Sequence, residues 1–382
     1  MSFFSLLPFD ILKYEILPLL DSSAKIILRH LLLSSPIPFP LPLSIQEEIC
    51  RYSIPYLQWF LSHSHFSHLP ENSASWGLLP VLQWSLSNGF PSSRYLCDFA
   101  ASSGNLAMIF WLSNNGYSFD ENTCSSAASH NQLSMLQWLR SHGCPWDLST
   151  SSSAAKFGHL SILQWSHDHG CPWNEHTSSS IASSGNLPML QWSHSRHCPW
   201  DSSTIYSAIK YGHSSLVYWS VDNGCPFDSS SCFASALYGH LDILQFLRSR
   251  SCPWDDRTCS FSAQSGHLSI LQWSLSNLCP PGLNICSSAA SSGHLHILQW
   301  AHLHGLPWDS LTSSRAAING HFLLLQWAHS HGCPWDSLTP QYAVCSGHFD
   351  ILKWVTSLGC PWNTFTFDYA TSHGYFTWLS QN

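Results

Sequence analysis

From residue 77 to residue 374 the hydrophobic and polar positions of this chain recur with a period of 27. Trp84, Trp111, Trp138, Trp165, Trp192, Trp219, Phe246, Trp273, Trp300, Trp327 and Trp354 follow one another at that interval without one insertion or deletion. Seven residues before each stands a glycine: Gly77, Gly104, Gly158, Gly185, Gly212, Gly239, Gly266, Gly293, Gly320 and Gly347, with Asn131 in the remaining slot. Glycine and asparagine are the residues that best tolerate a left-handed backbone, so the slot predicts a sharp turn in every unit. A fixed period of this kind marks stacked supersecondary units, and it redefines every motif that falls inside it.

Residues 150–176 show what one unit predicts. Thr150 is placed to cap a short helix over about 151–157, in which Ala154 and Ala155 are small enough for a neighbouring helix to come close. Gly158 ends it. A second helix is predicted from His159 to His169, with Leu160, Ile162, Leu163 and Trp165 as its buried stripe and Ser161, Gln164, His167 and Asp168 in water. Gly170 suits the turn after that helix, Pro172 blocks its continuation, and Trp173 folds back towards the core. The phase runs on to Gly374 and Trp378 in a truncated last unit, while Leu57-Gln58-Trp59 precedes Trp84 by 25 residues and lacks the glycine. The expected fold is an all-α solenoid of about twelve stacked helix-turn-helix repeats, with any β-finger shortened or absent.

Gly158-His159-Leu160, Ile162-Leu163, Trp165, Gly170 and the Ala154-Ala155 pair resemble the second half of an ankyrin repeat. The unit is six residues shorter than the usual 33 of that family, and it reads Thr-Ser-Ser-Ser where ankyrin repeats read T-P-L-H; this short, Trp-rich form is similar to divergent arrays of large viruses and some protists. The resemblance covers residues 72–382. Residues 1–35 do not carry the repeat. There Leu7-Pro8, Asp10-Ile11-Leu12, Ile16-Leu17 and Leu20-Asp21 resemble the start of an F-box, which implies docking on Skp1 through Leu7, Pro8, Ile11, Leu12, Ile16 and Leu17. Pro18 and the break at Ser34-Ser35-Pro36 depart from that pattern, and a hydrophobic cap for the first repeat is the other reading of the segment. Residues 36–71 read as a Pro-rich linker and a degenerate first repeat.

Composition then narrows the function. Charged residues are 9% of the 382, Trp numbers 20, and the formal net charge is −8 with no basic run. The counterion-release term that drives phosphate binding has little to work with, so no nucleic acid is expected; nor is a membrane, since no uncharged run approaches the roughly 18 residues a span needs. A monomer in the cytoplasm, of the host if the chain is viral, or in the nucleus, is the expectation. The 15 cysteines are read as reduced. Cys144, Cys171, Cys198, Cys225, Cys252, Cys279, Cys333 and Cys360 hold one slot, which gives a ladder rather than the close pairs that zinc sites use. Leu306 fills that slot once, with no compensating change visible in the sequence. His159, His213, His240, His267, His294, His321 and His348 are replaced by Asn105 and Asn186, which points to a local hydrogen bond at the start of the second helix. No metal, cofactor or enzymatic activity is expected, because no nucleophile elbow, P-loop or H-E-x-x-H occurs.

What remains for function is the set of residues that break the serine-rich background of the first helix. These are Tyr206, Lys210, Tyr211, Phe233, Tyr238, Phe261, Arg315, Tyr342 and Tyr369. Phe261, Arg315, Tyr342 and Tyr369 share the slot five before the glycine; Arg315, Tyr342 and Tyr369 are expected in one strip, and Tyr206, Tyr211, Phe233 and Tyr238 in a second patch. Their types are those of interface hot spots, and the resulting expectation is a protein-binding module for an unidentified target. Two forms of it stand: a substrate adaptor of a Skp1-cullin ubiquitin ligase, and a scaffold or inhibitor without that link.

Overall fold

The computed structural model describes residues 68–372, which form twenty-three helices and, among these residues, no strand. The chain is an all-α array of helix-turn-helix repeats, as its period requires. It divides into two compact units after Pro199. No helix among the described residues is long and apolar enough to cross a membrane.

Most repeats open on a carboxylate or amide cap; the first helices Leu69–Ser75, Leu96–Ser103 and Ile285–Ser291 have none. The helix Leu148–Lys156 begins after Asp147, whose side chain accepts from Ser149 N at 2.8 Å, and Asp120, Asp201, Asp228, Asp255 and Asp309 do the same in their repeats. The helix therefore starts three residues before the position expected from Thr150, which is fully buried inside the first turn. An aspartate accepts the orphan N–H groups as well as threonine does and adds a favourable charge at the positive end of the helix. Ala154 and Ala155 have no exposure, like Ala127, Ala128, Ala316 and Ala317 in their own repeats. These small side chains let the first helices of successive repeats within each unit pack directly on one another, while the second helices pack mainly on their own first helix.

In the second helix Leu160–Asp168 the buried residues are Ile162, Leu163 and Ser166, and Leu160 and Trp165 are only half-buried. The expected fully buried indole is thus corrected. Every tryptophan of that slot from Trp84 to Trp354 lies half-buried in the seam between repeats, because a side chain this large reaches past the Ile-Leu core to the next unit. There the loop indole of one repeat meets the second-helix indole of the following one edge to face: Trp146 on Trp165 at 5.8 Å, Trp173 on Trp192 at 5.9 Å, Trp335 on Trp354 at 5.7 Å. The outer face of the loop indole is covered by a stacked His167 or His329, at 3.9 and 3.8 Å, or by the guanidinium of Arg140 or Arg248, at 4.1 and 4.0 Å.

The histidine after the glycine does not cap its own helix; Asn105 and Asn186, in the same slot, do. Its ring instead lies over the glycine of the preceding repeat, and Nε2 donates to a carbonyl of the preceding first helix, from His159 to Ser129 and from His294 to Gln264 at 3.0 Å. A Cβ added at Gly239 would stand 2.7 Å from His267 Cε1, and one at Gly266 would stand 2.8 Å from His294 Cε1. The glycine is needed both for its left-handed φ of +86° at Gly239 and for the room it leaves its neighbour.

The cysteine slot makes a third link. Cys171 Sγ donates to Asp147 O at 3.5 Å, Cys225 to Asp201 O at 3.4 Å and Cys360 to Asp336 O at 3.5 Å, each thiol tying the end of its repeat back to the cap residue that opens it. Leu306 has no thiol to donate, and the residue 24 before it is Gly282, in the loop where Pro281-Gly282 replaces Trp-Asp.

Two glycines separate the two demands. Gly239→Ala meets both the left-handed backbone and the His267 ring, whereas Gly224→Ala, at φ +85° with nothing within 4 Å, meets only the first. Chemical denaturation should show a loss of about 1–2 kcal/mol for Gly224→Ala and about 2–4 kcal/mol for Gly239→Ala. Equal losses would mean that the histidine contact contributes nothing.

Candidate functional site

The exceptional side chains lie on first helices of the unit 200–372, with Tyr211 at the C-cap of the helix Ser202–Lys210. In the helix Ser229–Tyr238 the buried residues are Ser231, Cys232, Ala234, Ser235 and Ala236. Phe233, Leu237 and Tyr238 sit at the edge of that stripe and are half-buried, so their rings reach the surface of the first-helix row. Tyr206 and Tyr238 meet across two successive first helices, with ring centroids 6.4 Å apart and hydroxyl oxygens 3.5 Å apart. Phe233 and Phe261 meet across the next pair at 5.2 Å. Tyr211 is 54% exposed, with the Lys210 ammonium 5.5 Å from its ring centre.

Phe261 therefore belongs with the middle patch rather than with Arg315, Tyr342 and Tyr369, although it shares their slot. The repeat between carries Ser288 there, and a serine cannot carry a row of rings onward. Arg315 stands exposed, Tyr342 is half-buried, and Tyr369 is half-buried with its ring 6.0 Å from Phe365. Arg257 is a member of the patch that the repeat pattern missed. Its guanidinium lies 4.8 Å over the Phe233 ring, oriented by Asp255 at 2.8 Å and by Ser229 Oγ at 3.1 Å. The signal was the unrepeated arginine two residues after the capping aspartate.

The electrostatics of the patch are those of phenols and cations on a weakly charged surface. The hydrogen bond to Tyr238, then burial, raises Tyr206 above the ordinary tyrosine value. The cysteines and histidines are committed elsewhere: the fourteen described cysteines are free thiols, all buried except Cys345, and burial pushes Cys171, Cys225 and Cys360 up to about 12. Among the described residues no group of three His, Cys, Asp or Glu could hold a metal.

The class that this architecture defines is the all-α helical-repeat scaffold. No family model matches the chain, and no curated protein matches it. Solved structures that resemble it are of the pentatricopeptide repeat protein PPR10: one in complex with an 18-nt psaJ RNA element, and a variant with three cysteines changed to serine in complex with the same element, each at 11% identity and a TM-score of 0.42 over 94% of this chain and 64% of that one. The maize protein gives a TM-score of 0.35 at the same identity, over 92% and 66%. The chain spans less than two thirds of the first two.

These findings correct four expectations. The chain is not assigned to ankyrin arrays of viruses or protists: its resemblance rested on the offsets within one helix pair, which helical repeats of other families also present, and the structures found are pentatricopeptide repeats. The F-box reading and Skp1 docking by Leu7, Pro8, Ile11, Leu12, Ile16 and Leu17 fall outside the described residues, and no family model supports them. The protein-binding or ubiquitin-adaptor function loses its basis with the family. The exclusion of nucleic acid is withdrawn as well, since two of the structures found hold RNA and a charge argument addresses phosphates alone, whereas bases also bind by stacking.

The phenol pair offers a direct check of the patch. Tyr238→Phe removes the hydroxyl that raises Tyr206, so the Tyr206 ionisation followed by NMR of ring-labelled tyrosine should move down towards its ordinary value. An unchanged titration would show that the two rings do not meet in solution.

Proposed function

We propose that the chain is a non-catalytic scaffold that binds single-stranded nucleic acid, RNA foremost, along the first helices of residues 200–372. The observation that carries this reading is the pairing of rings across successive first helices with cations beside them: Phe233 with Phe261 under Arg257, and Tyr206 with Tyr238 beside Lys210 and Tyr211. A half-exposed ring at one repeat and another at the next supply successive platforms for unstacked bases, each worth about 1–3 kcal/mol. Lys210, Arg257 and Arg315 are the cations available to the backbone on this face. With so few, stacking has to carry the affinity, and phosphate contacts set only the register.

That balance makes the reading testable by fluorescence anisotropy with labelled RNA. Single-stranded RNA should bind in preference to duplex, with a shallow slope of log K on log salt of about −2, as roughly three phosphate contacts on a single strand give. Phe233→Ser with Phe261→Ser should weaken binding about 10- to 100-fold while the melting temperature stays within a few degrees. Undetectable binding at low salt, equal binding of duplex, or full affinity in the double variant would each defeat it.

A further inference from the structure

Five first helices carry a cysteine in one slot, Cys97, Cys124, Cys232, Cys259 and Cys286, and three carry a serine there, Ser151, Ser178 and Ser313. The serines show what packing alone asks of the position. Ser178 Oγ donates to Pro199 O at 2.7 Å, Ser313 Oγ to Pro334 O at 2.8 Å and Ser151 Oγ to Pro172 O at 2.8 Å. A thiol is not needed for that work. Three of the five cysteines instead face a ladder cysteine of their own repeat: Cys124 Sγ lies 3.4 Å from Cys144 Sγ, and Cys232 and Cys259 are hydrogen-bonded to Cys252 and Cys279. The other two, Cys97 and Cys286, fall in the repeats whose ladder slot holds Tyr117 and Leu306.

A second feature accompanies the pairs. Two residues after the second-helix aromatic and four before the ladder slot, only Arg140 and Arg248 are arginines; the other repeats hold Leu86, Ser113, His167, His194, Val221, Leu275, His302, His329 and Thr356. Arg140 donates to Cys144 O and Arg248 to Cys252 O, each with its guanidinium held on the neighbouring indole. A fixed positive charge thus stands beside two of the three pairs. Donation from the Cys232 thiol, with Arg248 adding to it against burial, lowers Cys252 below the ordinary thiol value, and donation from Cys259 lowers Cys279, whereas the hydrogen bond with Cys124 and burial raise Cys144 despite Arg140.

We propose that Cys124–Cys144, Cys232–Cys252 and Cys259–Cys279 are sites of reversible oxidation, each closing to a disulfide on reaction with a hydroperoxide. With hydrogen peroxide, the ladder thiol gives up its proton and its sulfur attacks one peroxide oxygen; the O–O bond breaks, and the departing hydroxide takes up that proton to leave as water, so that the ladder sulfur becomes a sulfenic acid. The partner thiol then attacks that sulfur, the S–O bond breaks, and the hydroxyl leaves with the thiol's proton as a second water. Two thiols lose two electrons, and one peroxide gains them. Ladder cysteines that face a serine have no resolving thiol and stop at the first step.

The experiment uses the full chain, reduced and freed of reductant, then treated with hydrogen peroxide under native conditions, alkylated and mapped by mass spectrometry. The expected result is three cross-linked peptides joining the named partners, each two hydrogens lighter than its reduced form and restored by dithiothreitol. Cys124→Ser, Cys232→Ser and Cys259→Ser together should abolish the bridges and leave sulfenic acid, trapped by dimedone, on Cys144, Cys252 and Cys279; serine already fills this slot in three repeats, and a melting curve confirms the fold. Bridges with other connectivities, over-oxidation without bridging, or pairs that stay reduced would overturn the proposal.

Discussion

Each repeat of this protein is completed by a ring that belongs to the next one. The histidine that follows one glycine lies over the glycine before it and holds a carbonyl of the preceding first helix, as His294 does over Gly266 and at Gln264 O. A helix pair of 27 residues cannot bury its hydrophobic stripe alone, so what fixes the structure is the set of links across each seam. There are two: histidine on glycine at the turn between helices, and loop indole edge-on to second-helix indole, while the thiol on the carbonyl of the capping aspartate closes each repeat on itself. Both run between fixed slots of the repeat, as from Gly239 to His267 and from Trp173 to Trp192, which ties their geometry to an invariant period. One extra residue within a repeat would move both of them out of register at once.

The period, the all-α class and the left-handed turn were legible in the sequence because each depends on local chemistry; Asn131, at φ +59°, takes the conformation that its place among the glycines implied. What was not legible was which partner a repeated side chain touches. Thr150 and Asp147 are both good capping residues, and only packing shows that the threonine is needed inside. The histidine looked like a local cap because asparagine replaces it, yet the two residues satisfy the slot by different bonds. A single repeat likewise carries offsets that suit more than one helical-repeat family, so the family resemblance outran what the residues could support.

The candidate face shows the same division. Repeat breaking located its aromatic members, since a ring among serines is conspicuous, but it grouped Phe261 by slot rather than by neighbour and passed over Arg257, which projects from the first turn of its helix onto Phe233. Slots describe equivalence along the sequence; contacts run diagonally between repeats, from Tyr206 to Tyr238 and from Phe233 to Phe261. The low net charge of −8 was read as an argument about partners, although it bears only on attraction between charges and is silent on flat apolar surfaces.

The seam links have a consequence for how such a gene can change. Because every link joins a repeat to its immediate predecessor through the same set of positions, removing or duplicating one whole 27-residue segment would bring equivalent surfaces together and leave each new junction chemically like the old. Length is then a freely adjustable trait, altered by recombination between similar stretches of coding sequence, while point changes at glycine, histidine or tryptophan are felt on both sides of a seam. Lineages carrying arrays of this kind should differ in the number of copies far more readily than in the spacing within a copy.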